Sequence, residues 1–111
     1  MPSVELNQPI PEFEAEATGE QTVRPSDLRG KNVVIYFYPK DNTPGCTTEG
    51  QDFRDQMADF EAQDTVIFGV SRDGLRAHEN FRAKHEFPFH LISDKSEELC
   101  NLFGVIKLKK L

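Results

Sequence analysis

The chain of 111 residues has no tryptophan, only two cysteines and no apolar run longer than a strand. Two cysteines cannot build the disulfide framework that staples small secreted domains, so a reducing, cytoplasmic setting is the simplest expectation. The longest apolar runs, residues 33–38 and 66–70, are too short to span a bilayer. The first residues, Met1-Pro2-Ser3-Val4-Glu5-Leu6, lack the basic stretch and apolar core of a secretory signal. Basic charge is scarce as well. The net charge is −6, and lysines gather only at Lys107, Lys109 and Lys110. A nucleic-acid partner needs a basic footprint, so none is expected, and no membrane partner either. The acidity bears on solubility rather than on fold or partner. Repeats, linkers and low-complexity segments are missing too, which leaves one domain over residues 1–111 with one modest core.

What is present alternates between two periods. Residues 13–17 and 21–24 read as short extended pieces, and Gly19 between them suggests a hairpin. Ser26-Asp27-Leu28 starts a short helical turn that Gly30 ends. Residues 32–38 are β-branched and aromatic after Asn32, as suits a central strand covered on both faces. Residues 47–63 read as a helix, with Phe53, Met57 and Phe60 on one face. Residues 65–71 form a second buried strand. Residues 75–86 form a second helix with Ala77 and Phe81 inward, and residues 89–92 a short strand. Asp94 then reads as an N-cap, with Glu97 completing a capping box. The helix it opens buries Leu99, Leu102 and Phe103 and ends at Gly104. Strands alternating with helices imply a parallel sheet core with helices on its faces, the thioredoxin-like α/β class.

The most informative stretch is Tyr36-Phe37-Tyr38-Pro39-Lys40-Asp41-Asn42-Thr43-Pro44-Gly45-Cys46-Thr47-Thr48-Glu49. An apolar strand ends in a turn rich in Pro, Asn and Gly, and a cysteine comes next at the mouth of a helix. Unpaired N–H groups and the positive end of the helix dipole favour negative charge there, and thiolate is the reactive form of cysteine. A helix end alone is worth only about 0.3–1 kcal/mol. A neighbouring cation is therefore expected, with Arg54, Arg72 and Arg76 as candidates. The three histidines, His78, His85 and His90, lack metal-ligand spacing and read as solvated or partly packed. Neither a metal nor a cofactor is expected. Glu97-Glu98 reads as helix-start charge rather than an acid/base pair.

This stretch closely resembles the active-site segment of peroxiredoxins, above all the bacterioferritin-comigratory (Q-type) branch. The pattern Pro-x-x-x-Thr/Ser-x-x-Cys is met by Pro39, Thr43 and Cys46. The similarity extends over residues 13–105. It includes Leu28-Arg29-Gly30-Lys31, then Gly69-Val70-Ser71 with Asp73 and His78, then Ser93-Asp94 and Phe103-Gly104-Val105. The resemblance implies a cytoplasmic thiol peroxidase whose Cys46 thiolate attacks a hydroperoxide and becomes a sulfenic acid. It makes Thr43 the residue that hydrogen-bonds the peroxide, and Pro39 and Pro44 the wall of the pocket. It gives Gly45 and Glu49 supporting places. Thioredoxin, glutaredoxin or a small thiol would supply the electrons.

The resemblance also marks departures. The usual resolving positions hold Gln51 and the segment Phe81-Arg82-Ala83-Lys84 instead of cysteine. Cys100 reads as a core cysteine beside Leu99 and Phe103, so no resolving residue is identified and an external thiol is expected. The family continues with two more strands, a final helix and a distal arginine near the thiolate. Nothing after Val105 matches these, which implies a fold lacking its C-terminal strands and helix. Two other readings stay open. A disulfide reductase would prefer Cys-x-x-Cys, but position 43 is Thr. A catalytically weak peroxiredoxin-like fragment acting as a binding module is the non-enzymatic alternative.

Overall fold

A computed structural model describes residues 10–104. Its first two strands, β1 (Ala15–Ala17) and β2 (Gln21–Val23), pair antiparallel as a hairpin, Ala15 opposite Val23. Gly19 and Glu20, at φ 76° and 56°, both take the left-handed conformation in the three-residue connection between β1 and β2. A side chain at 19 would also meet the His90 ring at 2.9 Å. A 3₁₀ turn over Pro25–Leu28 leads to β3 (Asn32–Phe37). Then come α1 (Pro44–Asp55), α2 (Met57–Ala62), β4 (Thr65–Ser71), α3 (Leu75–His85), β5 (His90–Ser93) and α4 (Glu98–Leu102). Among the described residues, no helix is long and apolar enough to cross a membrane.

The five strands form one sheet in the order β2-β1-β5-β4-β3. Strands β3, β4 and β5 run parallel, Val34 beside Ile67 and Gly69 beside Leu91. Strand β1 joins β5 antiparallel. Successive side chains sort to opposite faces, as a pleated strand requires. Val34 and Tyr36 of β3, Ile67 of β4 and Leu91 of β5 meet Phe53, Met57, Phe60 and Phe81 from the helices α1 to α3. Val33, Ile35 and Phe37 of β3, Phe68 and Val70 of β4 and Ile92 of β5 share the opposite face with Phe13, Val23 and α4 residues Leu99 and Leu102. This is the three-layer α/β arrangement, with the loop that leads to Cys46 leaving the sheet at the end of β3.

Several local expectations are corrected. Both long strands read as central, yet among the described residues β4 is interior, between β5 and β3, and β3 is the last strand, its apolar side chains half-buried. An apolar run reports cover on two faces and says nothing of pairing on two edges. The helix expected over 47–63 starts earlier, at Pro44, and breaks at Gln56. Pro44 is suited to the first helical position, where its missing N–H costs nothing. At the break the Gln56 N–H is shared between the carbonyls of Asp52 (3.3 Å) and Phe53 (3.2 Å). The apolar spacing of Phe53, Met57 and Phe60 runs straight through that break, which hides it in the sequence. On α3 the buried stripe is His78 and Phe81, while Ala77 faces solvent.

The capping box at Asp94 does not form. A turn closed by the Glu97 N–H to the Asp94 carbonyl (3.0 Å) comes first, and Glu97 adopts a left-handed conformation with φ 65°. Asp94 still caps α4 from a distance, Oδ1 accepting the Leu99 N–H at 3.0 Å and Oδ2 the Cys100 N–H at 2.9 Å. Glu97 pairs with Arg72 at 2.9 Å instead. Gly104, at φ 68°, ends the helix as expected. Expectations about residues 1–9 and about residues 105–111 lie outside the described residues.

Candidate active site

The sheet delivers the site. Tyr38, one residue beyond β3, still donates its N–H to the Val70 carbonyl at 3.0 Å, so the loop departs from a fixed point. Asn42 takes the left-handed conformation, φ 64°, which asparagine tolerates better than most residues. Thr43 is the extended N-cap of α1, and its hydroxyl donates to the Lys40 carbonyl at 3.0 Å. The first helical bond runs from the Thr47 N–H to the Thr43 carbonyl at 2.9 Å. The N–H groups of Gly45 and Cys46 precede it and have no intrahelical acceptor. Cys46 is thus the third residue of α1, inside the turn where those donors and the helix dipole favour an anion.

The Cys46 thiol is free and half-buried against the aromatic cluster of the α1–α3 face. Tyr36 in that cluster stacks on Phe53 at 4.7 Å. Its hydroxyl is pushed well above its ordinary value, first by burial and then by the negative charge of Glu49, Cys46 and Asp41. Of the sequence candidates, Thr43 and Cys46 are half-buried, and Pro39, Pro44, Gly45 and Glu49 are exposed. Glu49 makes no hydrogen bond or ion pair among the described residues, so its support for the loop is limited to its charge near Tyr36. Two of the three candidate cations are engaged elsewhere. Arg54 binds Asp55 and the His85 carbonyl, both at 3.0 Å, and Arg72 binds Glu97. Arg76 is exposed. Among the described residues none of the three reaches Cys46 by a hydrogen bond or ion pair.

Behind the loop lies a buried polar network that sequence reasoning missed. Asp41 is buried, and its carboxylate accepts the Tyr38 O–H at 2.6 Å and meets His78 Nδ1 at 2.8 Å. His78 is completely buried, and its Nε2 lies 2.8 Å from the Ile92 carbonyl. The Asp41 N–H donates to Asp73 Oδ2 at 2.7 Å, which also accepts the Ser71 hydroxyl at 2.8 Å. Burial and the hydrogen bond to Asp41 push the Tyr38 hydroxyl far above its ordinary value. The reading of His78 as solvated or partly packed is therefore overturned. One signal was available, since His78 stands three residues before Phe81 on the same helical face. Ligand atoms of Asp41, Asp73 and His78 lie within 4.8 Å of one another, a cluster that spacing alone did not suggest. Each of these residues already has a hydrogen-bond partner within the network.

Cys100 is the second thiol. It is buried, and its pKa is pushed up to about 12, first by burial and then by the Asp94 carboxylate. It belongs to α4 on the opposite face of the sheet from Cys46.

Comparison with known proteins places the chain by family and fold. The AhpC/TSA family model matches residues 6–111. Peroxiredoxin Bcp of Bacillus subtilis is 47% identical over 108 residues, covering 97% of this chain and 69% of that protein. Peroxiredoxin Bcp of Xanthomonas campestris is 54% identical over 82 residues, covering 74% of this chain and 51% of its own length. The solved structure of Xanthomonas campestris peroxiredoxin Q superposes with a TM-score of 0.85 at 46% identity, over 87% of this chain and 61% of that one. A structure of the Xanthomonas campestris bacterioferritin comigratory protein, described for its alkyl peroxide reduction activity, matches equally well at 45% identity and TM-score 0.85. The chain thus spans between 51% and 69% of these proteins' own lengths.

Proposed function

The chain belongs to the AhpC/TSA family, and from that premise we propose that it is a thiol peroxidase of the Q-type peroxiredoxin kind, with Cys46 as nucleophile. The observation that carries this reading is a free, half-buried thiol at the third position of α1, beside two helical N–H groups without intrahelical acceptors. The Cys46 thiolate attacks one oxygen of a hydroperoxide. The S–O bond forms as the O–O bond breaks, and the departing alkoxide takes up a proton as alcohol or water. The sulfur, oxidised by two electrons, is left as sulfenic acid. In this reading the Gly45 and Cys46 N–H groups hold the peroxide oxygens, joined by the Thr43 hydroxyl once it leaves the Lys40 carbonyl, and Pro39 and Pro44 wall the thiol.

An external thiol completes the cycle. It condenses with the sulfenic acid to a mixed disulfide and releases water, and a second thiolate then frees Cys46. Thioredoxin, glutaredoxin or a small thiol fits this step, because Cys100 is held as a neutral thiol on the far face of the sheet. A cytoplasmic location belongs to the same proposal and is supported by two free cysteines. The test is consumption of hydrogen peroxide and an alkyl hydroperoxide with dithiothreitol or thioredoxin as reductant, with a sulfenate-trapping reagent read by mass spectrometry. Turnover with the label on Cys46 is expected. Turnover without any adduct at Cys46 would sink the assignment.

A further inference from the structure

We propose that His78 is a positioning residue for the reactive cysteine, acting through Asp41 on the loop that places the start of α1; the reaction it serves rests on the peroxidase reading above. His78 has no exposed surface, and both of its ring nitrogens face oxygen acceptors. The Ile92 carbonyl only accepts, so Nε2 carries a proton. Nδ1 and Asp41 Oδ2, 2.8 Å apart, must then share another, because a bare ring nitrogen would repel a carboxylate oxygen. Asp41 is in turn engaged at both oxygens and its backbone, with Oδ1 taken by the Tyr38 hydroxyl and its N–H given to Asp73.

The placement of these contacts gives them their effect. Asp41 is in neither a strand nor a helix, and it stands between the end of the sheet and the N-cap Thr43. No ladder bonds hold that stretch. The Asp41 side chain to α3, and its backbone to Asp73 in the β4–α3 connection, are the long-range ties described for it. The next residue, Asn42, is left-handed, so the chain direction into Thr43, Pro44 and Cys46 depends on how Asp41 is held. His78 itself is fixed by a β5 carbonyl at the centre of the sheet. The histidine therefore couples the rigid strand layer to the loop that presents the thiol. A satisfied buried network of this kind is rigid, and removing one member leaves a buried group unpaired.

Two substitutions separate the contacts. The amide nitrogen of His78→Asn falls near Nδ1 and can still donate to Asp41, whereas that of His78→Gln falls near Nε2 and keeps only Ile92. Each is made in the full chain carrying Cys100→Ser, so that Cys46 is the single thiol. Second-order rates of Cys46 with iodoacetamide and with hydrogen peroxide are measured on protein shown by circular dichroism to be folded. The expected result is a loss of about tenfold or more for His78→Gln at both reagents, with His78→Asn staying within a few-fold of the parent, since small misplacements of a reacting group cost large factors in rate. Folded His78→Gln with parental rates, or equal losses in both variants, would overturn the proposal. So would a stoichiometric divalent metal in the purified protein, which would make the cluster a metal site. If His78→Gln does not fold, Asp41→Asn reads the same contact at equal size: slowed alkylation supports the proposal and a parental rate overturns it. Alkylation needs no peroxidase activity. Failure of the peroxidase reading would appear as a parent chain that alkylates at Cys46 but consumes no peroxide.

Discussion

The two thiols of this chain differ by what surrounds each sulfur. Cys46 sits in a first helical turn with unpaired N–H donors nearby, while Cys100 is buried beside the Asp94 carboxylate, which disfavours a second negative charge. The expected consequence is a clean division of reactivity. Cys46→Ser abolishes peroxide consumption, because a serine hydroxyl is not ionised near neutrality, and Cys100→Ser keeps most of it with dithiothreitol as reductant. Steady-state peroxide assays on both variants check this, and a larger loss from Cys100→Ser would reverse the roles. In native protein at pH 8, mass spectrometry after brief alkylation should find the label on Cys46 and little on Cys100. At this scale the contiguous part of the site is legible in the sequence, because Thr43, Pro44 and Cys46 are brought together by a single helix start. The part built across the fold is not. Asp41 and His78 meet only when α3 packs behind the loop, and a histidine among Arg76, Ala77 and Glu79 looks like a polar helix residue until the stripe it shares with Phe81 is seen to face inward.

Helix α1 carries the site, so its seating matters. Gly50 lies on its buried side, and a Cβ there would come within 2.6 Å of the Phe87 ring. That ring is itself wedged, stacked on Phe89 at 5.0 Å and edge-on to Phe81 at 5.2 Å. Gly50→Ala must therefore displace either α1 or the Phe87 ring, despite alanine's better helix propensity. A loss of about 1–3 kcal/mol is expected from urea unfolding, as for other overpacked cores. Unchanged or increased stability would show that the Phe87 ring yields. Helix α4 offers the opposite case. Asp94→Ala removes the acceptor of two helical N–H groups and should cost about 0.5–2 kcal/mol by the same measurement. The elements themselves were largely readable, since β-branched runs and i, i+4 spacing each reflect one local period. What was not readable depends on partners. Whether β3 is central or last, and where the helix after Cys46 breaks, leave no trace in an apolar pattern that runs unchanged through both.

Across the described residues, three buried or half-buried acids hold protons that the unfolded chain gives up more readily. Burial is the leading cause in each case. Tyr36 also feels the charges of Glu49, Cys46 and Asp41, Tyr38 hydrogen-bonds Asp41, and Cys100 adjoins Asp94. All three pKa values are raised in the folded state, Cys100 to about 12. In the unfolded chain a cysteine ionises near ~8.5 and a tyrosine near ~10. The folded state therefore binds more protons than the unfolded one at alkaline pH, and stability falls as pH rises there. The contribution is fully present below each unfolded value. For Cys100 it is lost between about pH 8.5 and 12, and for the tyrosines from about pH 10 upward. The urea midpoint should thus be level near neutrality and decline from about pH 9, more steeply beyond about pH 10. Cys100→Ser should flatten the earlier part of the decline and Tyr36→Phe the later part, whatever each does to stability at pH 7. The slope against pH isolates the titration from packing losses that are the same at every pH. Parallel curves for the parent and both variants between pH 7 and 11 would show that these buried protons do not govern the alkaline limit of the fold.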